Sequence, residues 1–306
     1  MKERPGVFRV FFFNYNNAIV LFMKVILADV LGYCMGVRRA IDSAYKSLED
    51  NPGKKVYSLG PLIHNQTALE SLSEKGLSVL REPSIEEVPE NSVVVIRAHG
   101  IPPVTMNRLL ERKCNVINAT CPRVLASQNN AKKYAELGYY VILAGDKNHG
   151  EVVGIAGFAG EKFFLVENAD DAGNLPDFDE EEKAVLLCQT TFSLEEFSKI
   201  ADVLSSKIKN LKVMNTICPA TKERQEALQK LCPEVEGVLV VGGKNSANTK
   251  RLLQIAEENS GRASLIETAS EIPSDFFELK TVGITAGAST PDSVIRNVVE
   301  VLEKGR

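Results

Sequence analysis

The chain is predicted to be an α/β protein of three consecutive, pseudo-equivalent domains with mostly parallel sheets. Three observations carry this. Short, continuous, β-branched runs alternate with amphipathic stretches, as expected of strands buried on both faces and the helices that cover them. Three cysteines, Cys34, Cys121 and Cys218, recur at near-equal spacing, each where such a run ends and a helix begins. After each cysteine come two more apolar runs that end in polar or glycine turns. The repeating unit is therefore a whole small domain, not a solenoid turn.

Residues 1–23 hold the apolar runs VFRVFFF and AIVLF, interrupted by Asn14, Asn16 and Asn17. They are too short and too broken for a membrane span, and no A-x-A-like cleavage site follows. The segment reads as a leader or disordered extension. Domain 1 (24–119) opens on VILADVLGYC, and Val37, Ile41, Ala44 and Leu48 then recur at helical period. Its later runs are KVYSLGPLIHN, with His64, and VVVIRAHG, with His99. Domain 2 (120–216) carries Cys121, then YYVILAGDKNHGE with His149, then AVLLCQTT with Thr191. Domain 3 (217–306) carries Cys218, then GVLVVGGKNSANT with Ser246, then VGITAGAST with Ser289.

Composition narrows the function. With 306 residues, 44% of them apolar, there is ample core for two or three domains. A net charge of −4 without a long basic run argues against nucleic-acid binding. The absence of an export signal makes a reducing cytoplasm the expected compartment, with thiols rather than disulfides. Cys114, Cys188 and Cys232 fall at non-equivalent places in the repeat and read as buried small apolar residues.

All these turns lie at the carboxyl ends of strands, where open α/β sheets bind ligands. A thiol at a helix N-terminus meets unpaired N–H groups and the positive end of the dipole, which favour thiolate. Three such thiols suit one shared metal or cluster. The chain's only three histidines stand at equivalent turns, and in the third domain Ser246, Asn248 and Ser289 occupy the corresponding places. Imidazoles, hydroxyls, amides and helix N-terminal N–H groups together make a phosphate or diphosphate cradle. Glu151, two residues after His149, is placed to move protons if burial raises its pKa, and Thr190 or Thr191 to order a water or hydroxyl. Ser289 or Thr290 is alternatively a cap for a helix starting at Pro291, and Thr190 or Thr191 a cap for SLEEFSKI.

Structural zinc wants tight C-x₂₋₄-C pairs, and none is present. Compact ferredoxin spacings are missing too. Three thiolates leave either a zinc ion or one iron of a [4Fe–4S] cluster with an open position, and spacing alone does not choose between them.

A resemblance adds to this reading. GYCMGVRRAI, LGPLIHN, IRAHG, NATCP, NHGEVVG, QTT, NTICPAT with RQEA, GGKNSANTKRL and TAGASTPD stand in the order found in the 4-hydroxy-3-methylbut-2-enyl diphosphate reductase (LytB/IspH) family. The likeness spans about residues 24–306. It implies a trefoil of three α/β domains around a central [4Fe–4S] cluster held by Cys34, Cys121 and Cys218, with an open fourth iron for the substrate's allylic hydroxyl. It further implies that His64, His99, Ser246, Asn248 and Ser289 grip the diphosphate with His149 beside it. Glu151 would deliver protons, and Thr191, with Thr190 as the alternative, would position the hydroxyl or water. The implied reaction is a two-electron, two-proton reductive dehydroxylation to isopentenyl and dimethylallyl diphosphate, with reduced ferredoxin or flavodoxin as electron donor. One departure stands out: Ala247 occupies the place of a second serine in the family's Asn-Ser-Ser-Asn run. Two rival readings are a non-catalytic iron–sulfur sensor or carrier, which would not need the His/Ser/Asn cradle, and a zinc hydrolase of a phosphorylated substrate.

Overall fold

Among the described residues thirteen short strands make three sheets, and the same order of four strands recurs in each. The computed structural model describes residues 7–9, as backbone, and 23–305; the rest of the 1–23 extension and Arg306 lie outside the described residues. Along the chain the strands are β1 (Val7–Arg9), β2 (Lys24–Leu27), β3 (Val56–Leu59), β4 (Leu77–Leu80), β5 (Val93–Ile96), β6 (Asn115–Asn118), β7 (Tyr140–Ala144), β8 (Phe163–Val166), β9 (Lys183–Cys188), β10 (Asn210–Val213), β11 (Gly237–Val241), β12 (Ala263–Ile266) and β13 (Thr281–Ala286). The helices are α1 (Met35–Asp50), α2 (Gln66–Glu74), α3 (Pro103–Glu111), α4 (Pro122–Glu136), α5 (Gly150–Ala156), α6 (Ala169–Gly173), α7 (Leu194–Lys207), α8 (Pro219–Leu231), α9 (Ala247–Asn259) and α10 (Asp292–Lys304).

The sheets run β4-β3-β5-β6, β8-β7-β9-β10 and β12-β11-β13-β2, all parallel, and β1 adds an antiparallel edge to β2. The α/β class with three equivalent parallel sheets is thus the one the sequence predicts. Two details go beyond it. Each sheet has a further four-residue strand (β4, β8 or β12) that the sequence reading does not assign; β4 is buried only at its two ends, and β8 and β12 only at their last residue. And the strand before Cys34, grouped by sequence with the strands that follow it, pairs with β13 instead. Pairing of this range is set by which sheet still offers an open edge, not by local sequence. Val7–Arg9, within the extension read as a leader or disordered, is a strand.

The chain forms two compact units. One comprises the described residues up to 34, residues 64–66 and those from 219 onward; the other comprises 35–63 and 67–218. In the first, β11 shows why a strand buried on both faces reads as a continuous apolar run. Leu239 and Val241 face a cluster with Val294, Ile295, Val298 and Leu302 of α10, while Val238 and Val240 face Leu228 of α8 and Leu252 of α9. Alternation with period two sends successive side chains to opposite faces. In the second unit, Ile142, Leu186 and Cys188 pack with Phe197, Ile200 and Leu204 of α7. Val141, Leu143, Val185 and Leu187 pack on the other face with Tyr134 of α4 and Ile155 of α5. The sheet of β3 and β5 packs Leu59, Val94 and Ile96 against Ile85 and Leu109.

Candidate active site

In two sheets the chain leaves two neighbouring central strands in opposite directions, β3 and β5, and β7 and β9; in the third, β11 leads to β12 on one side, while β13 is flanked on the other side by β2, from earlier in the chain. That is the topological switch point at which open α/β sheets bind ligands. The candidate residues follow these strands. His64 and His99 come after β3 and β5, His149 and Thr191 after β7 and β9, and Ser246 and Ser289 after β11 and β13. Each cysteine follows the fourth strand of a sheet and immediately precedes a helix, Cys34 before α1, Cys121 before α4 and Cys218 before α8.

One backbone bond repeats in all three places. The N–H of Cys121 donates to the Ala98 carbonyl at 2.9 Å, that of Cys218 to Thr190 at 2.9 Å, and that of Cys34 to Ala288 at 3.1 Å. Each acceptor directly precedes a candidate ligand-binding residue, His99, Thr191 or Ser289. The shared Asn-x-x-Cys-Pro pattern also has a cause. Asn118 Oδ1 accepts from Thr120 N at 3.1 Å, and Asn215 Oδ1 from Ile217 N at 3.0 Å. These side chains close a local turn that aims the following thiol, and proline then starts the helix. Before Cys34 the turn is made instead by Gly32, at φ +77°.

In the second unit, Glu151 is 2% exposed. Thr190 N donates to its Oε1 at 2.6 Å and Thr190 Oγ1 to its Oε2 at 2.8 Å. Burial nonetheless pushes the carboxyl pKa up to about 7, against the pull of both Thr190 bonds and helped by the charge of Asp146. His149 caps α5, its Nδ1 accepting from Glu151 N at 3.2 Å. The His99 and His149 rings meet edge to face, 5.3 Å between centroids. Gln189 Nε2 donates to Thr191 Oγ1 at 2.8 Å and to Asp146 Oδ2 at 3.0 Å, and its Oε1 accepts from Asp146 N at 2.9 Å. Accepting that bond leaves the Thr191 hydroxyl hydrogen available to a ligand.

In the first unit, Ser289 Oγ donates to the His64 carbonyl at 3.1 Å. Gly243 packs on the same carbonyl so closely that a Cβ there would lie 2.2 Å from it. Ser246 caps α9, accepting from Thr249 N at 3.4 Å. Asn248 is 4% exposed and its Nδ2 has no hydrogen-bond partner. The site thus holds a buried amide donor that its own fold does not satisfy.

The sequence model of the LytB protein family matches residues 25–303, from β2 into α10. The chain belongs to the LytB family. Among LytB relatives, the 4-hydroxy-3-methylbut-2-enyl diphosphate reductase of Treponema denticola is 49% identical over 92% of this chain and 100% of its own length. That of Aquifex aeolicus is 41% identical over 90% of this chain and 94% of its own. A solved structure of the E-1-hydroxy-2-methyl-but-2-enyl-4-diphosphate reductase from Plasmodium falciparum matches with a TM-score of 0.86 at 29% identity, covering 90% of this chain and 86% of that one. A second, described as the terminal enzyme of the non-mevalonate pathway, matches with a TM-score of 0.67 at 40% identity, covering 90% and 97%.

Some expectations for this LytB chain take a different form. The Ser289 and Thr290 hydroxyls do not cap α10; they donate to the His64 and Val241 carbonyls. Neither Thr190 nor Thr191 caps α7, because Ser193 does. Cys114, Cys188 and Cys232, by contrast, are buried in apolar clusters as the sequence predicts. Sequence reasoning passed over Gln189 and Asp146, which brace Thr191. It also passed over Glu167 and Glu267, which hold the glycine turns through Lys147 N at 2.7 Å and Lys244 N at 2.9 Å. The last two follow β8 and β12, two strands that the sequence reading does not assign.

Proposed function

We infer that the chain reduces 4-hydroxy-3-methylbut-2-enyl diphosphate to isopentenyl and dimethylallyl diphosphate. Family membership across residues 25–303, at 49% identity to a full-length reductase, carries the reading. In the overall reaction the allylic C–O bond breaks, two electrons and two protons are taken up, and water leaves.

The donor set suits an iron–sulfur cluster. Cys34, Cys121 and Cys218 are half-buried, lie outside any disulfide and precede helix starts, whereas the other three cysteines are buried. Soft thiolates at helix N-termini are what such a cluster needs. A [4Fe–4S] cluster on these three would supply the electrons singly and offer an open iron to the hydroxyl.

The chain's own residues supply the rest. Glu151, with its pKa near 7, donates a proton to the departing hydroxyl. Thr191, oriented by Gln189, donates a hydrogen bond to that hydroxyl. His149 fixes the turn that carries Glu151. His64, His99, His149, Ser246, Asn248 and Ser289 bind the diphosphate. Domains at 24–119, 120–216 and 217–306, a cytoplasmic setting and reduced ferredoxin or flavodoxin as donor complete the proposal. Among the described residues no helix is long and apolar enough to cross a membrane.

Iron and acid-labile sulfide analysis of anaerobically prepared protein tests the cluster assignment. Single Cys34→Ser, Cys121→Ser and Cys218→Ser variants should each lose iron, while Cys114→Ser should keep it. Full iron content in the first three would defeat it.

A further inference from the structure

Thr249 is the third residue of α9, one past Asn248 and three past Ser246. It is fully buried, and its Oγ1 has no hydrogen-bond partner. Burying an unbonded hydroxyl costs free energy, so bonding does not account for an oxygen here. Two glycines do. Gly242 directly follows β11, and Gly287 directly follows the neighbouring β13. A Cβ at Gly287 would lie 2.3 Å from Thr249 Oγ1, and one at Gly242 would lie 2.8 Å from it. Both turns therefore close on this oxygen with a hydrogen where any other residue carries carbon. An oxygen accepts so close a Cα–H group, whereas a methyl would push it away.

The same two turns carry candidate diphosphate groups. Ser246 and Asn248 follow Gly242, and Ser289 follows Gly287. Val241 O ties the turns together, accepting from Gly287 N and from Thr290 Oγ1, both at 2.9 Å. Thr249 N in turn donates to Ser246 Oγ at 3.4 Å. The spacing of these groups is set by what fills the notch between the glycines, and Thr249 fills it.

We propose that Thr249 is a positioning residue for the diphosphate: wedged against Gly242 and Gly287, it spaces the turn of Ser246 and Asn248 from the turn of Ser289. It acts through those residues and needs no contact with the ligand. The proposal rests on the diphosphate reading given above and concerns groups of one compact unit only. The competing role is plain core filling, which would change melting without changing affinity.

The test is calorimetric titration of the cluster-loaded enzyme with inorganic diphosphate, together with KM and kcat for the allylic diphosphate. Gly287 is not in the left-handed region, so alanine there is opposed by its neighbours and not by its backbone. Gly287→Ala should weaken inorganic diphosphate by about tenfold and raise KM far more than it lowers kcat. Adding Thr249→Ala should restore most of that affinity, because the nearest atoms left to the new Cβ lie 3.5 Å away. If Gly287→Ala folds poorly, two single variants serve instead. Thr249→Val sets a methyl against the glycines and should lose affinity, and Thr249→Ser keeps the oxygen and should retain more of it. Wild-type affinity in a well-folded Gly287→Ala overturns the proposal and leaves the function intact. So does a loss that Thr249→Ala fails to repair, or equal affinity in Thr249→Val and Thr249→Ser. Failure of the wild-type enzyme to bind diphosphate at all overturns both.

Discussion

Glu151 has both carboxylate oxygens held by one residue: Thr190 donates its N–H at 2.6 Å and its hydroxyl at 2.8 Å. Both bonds favour the charged form, yet burial outweighs them and sets the pKa at about 7. The Thr190 carbonyl accepts from the N–H of Cys218. One residue thus ties the Glu151 carboxyl to a thiol-bearing turn.

Glu151→Gln keeps the shape and removes the proton. Turnover should fall by roughly 10²–10⁴-fold while substrate affinity stays within a few-fold. Steady-state kinetics and calorimetry on one preparation decide it. Parallel loss of rate and affinity would make Glu151 structural.

The pKa of Glu151 also predicts two pH effects. As a proton donor it should give kcat a descending limb at about pH 7. For stability, the folded pKa of about 7 lies above the ordinary glutamate value of 4.5, so the folded state binds more protons between them. This contribution is fully present below about pH 4.5 and is lost as pH rises through about 7, on the order of 3 kcal/mol in all. Urea unfolding at pH 5 and pH 8 should show a steeper decline in the wild type than in Glu151→Gln. Equal slopes would contradict it.

Thr190→Val removes one donor and leaves Oε2 buried beside a methyl group. Stability should drop by about 1–3 kcal/mol, and the descending limb of kcat should move to higher pH, because one of the bonds that lower the pKa is gone. A limb that stays in place would mean another group titrates there.

Gly243→Ala tests the contact with His64. The added Cβ would lie 2.2 Å from a backbone carbonyl, which cannot swing aside as a side chain can. Overpacking of this kind costs about 1–3 kcal/mol and should also weaken diphosphate binding through the displaced His64. Wild-type melting and affinity would show that the turn yields freely.

The class of fold was legible because β11, β5 and β7 are continuous apolar runs, and the helices between them keep their period. The cysteine turns were legible because Asn118 and Asn215 act on residues two positions away, so the cause lies within a motif. What stayed hidden was non-local. Nothing in Lys24–Leu27 says that it pairs with Thr281–Ile284. The edge strands β4, β8 and β12 are four-residue runs, LSVL, FFLV and ASLI, whose pairing beside β3, β7 and β11 is non-local. Gln189 was visible as a letter in a motif, but its hold on Asp146 joins residues 43 apart.

The most direct test is anaerobic turnover of the reconstituted protein with chemically reduced viologen and 4-hydroxy-3-methylbut-2-enyl diphosphate. The account predicts formation of both isopentenyl and dimethylallyl diphosphate. A protein carrying its full iron and sulfide that forms neither product would contradict it.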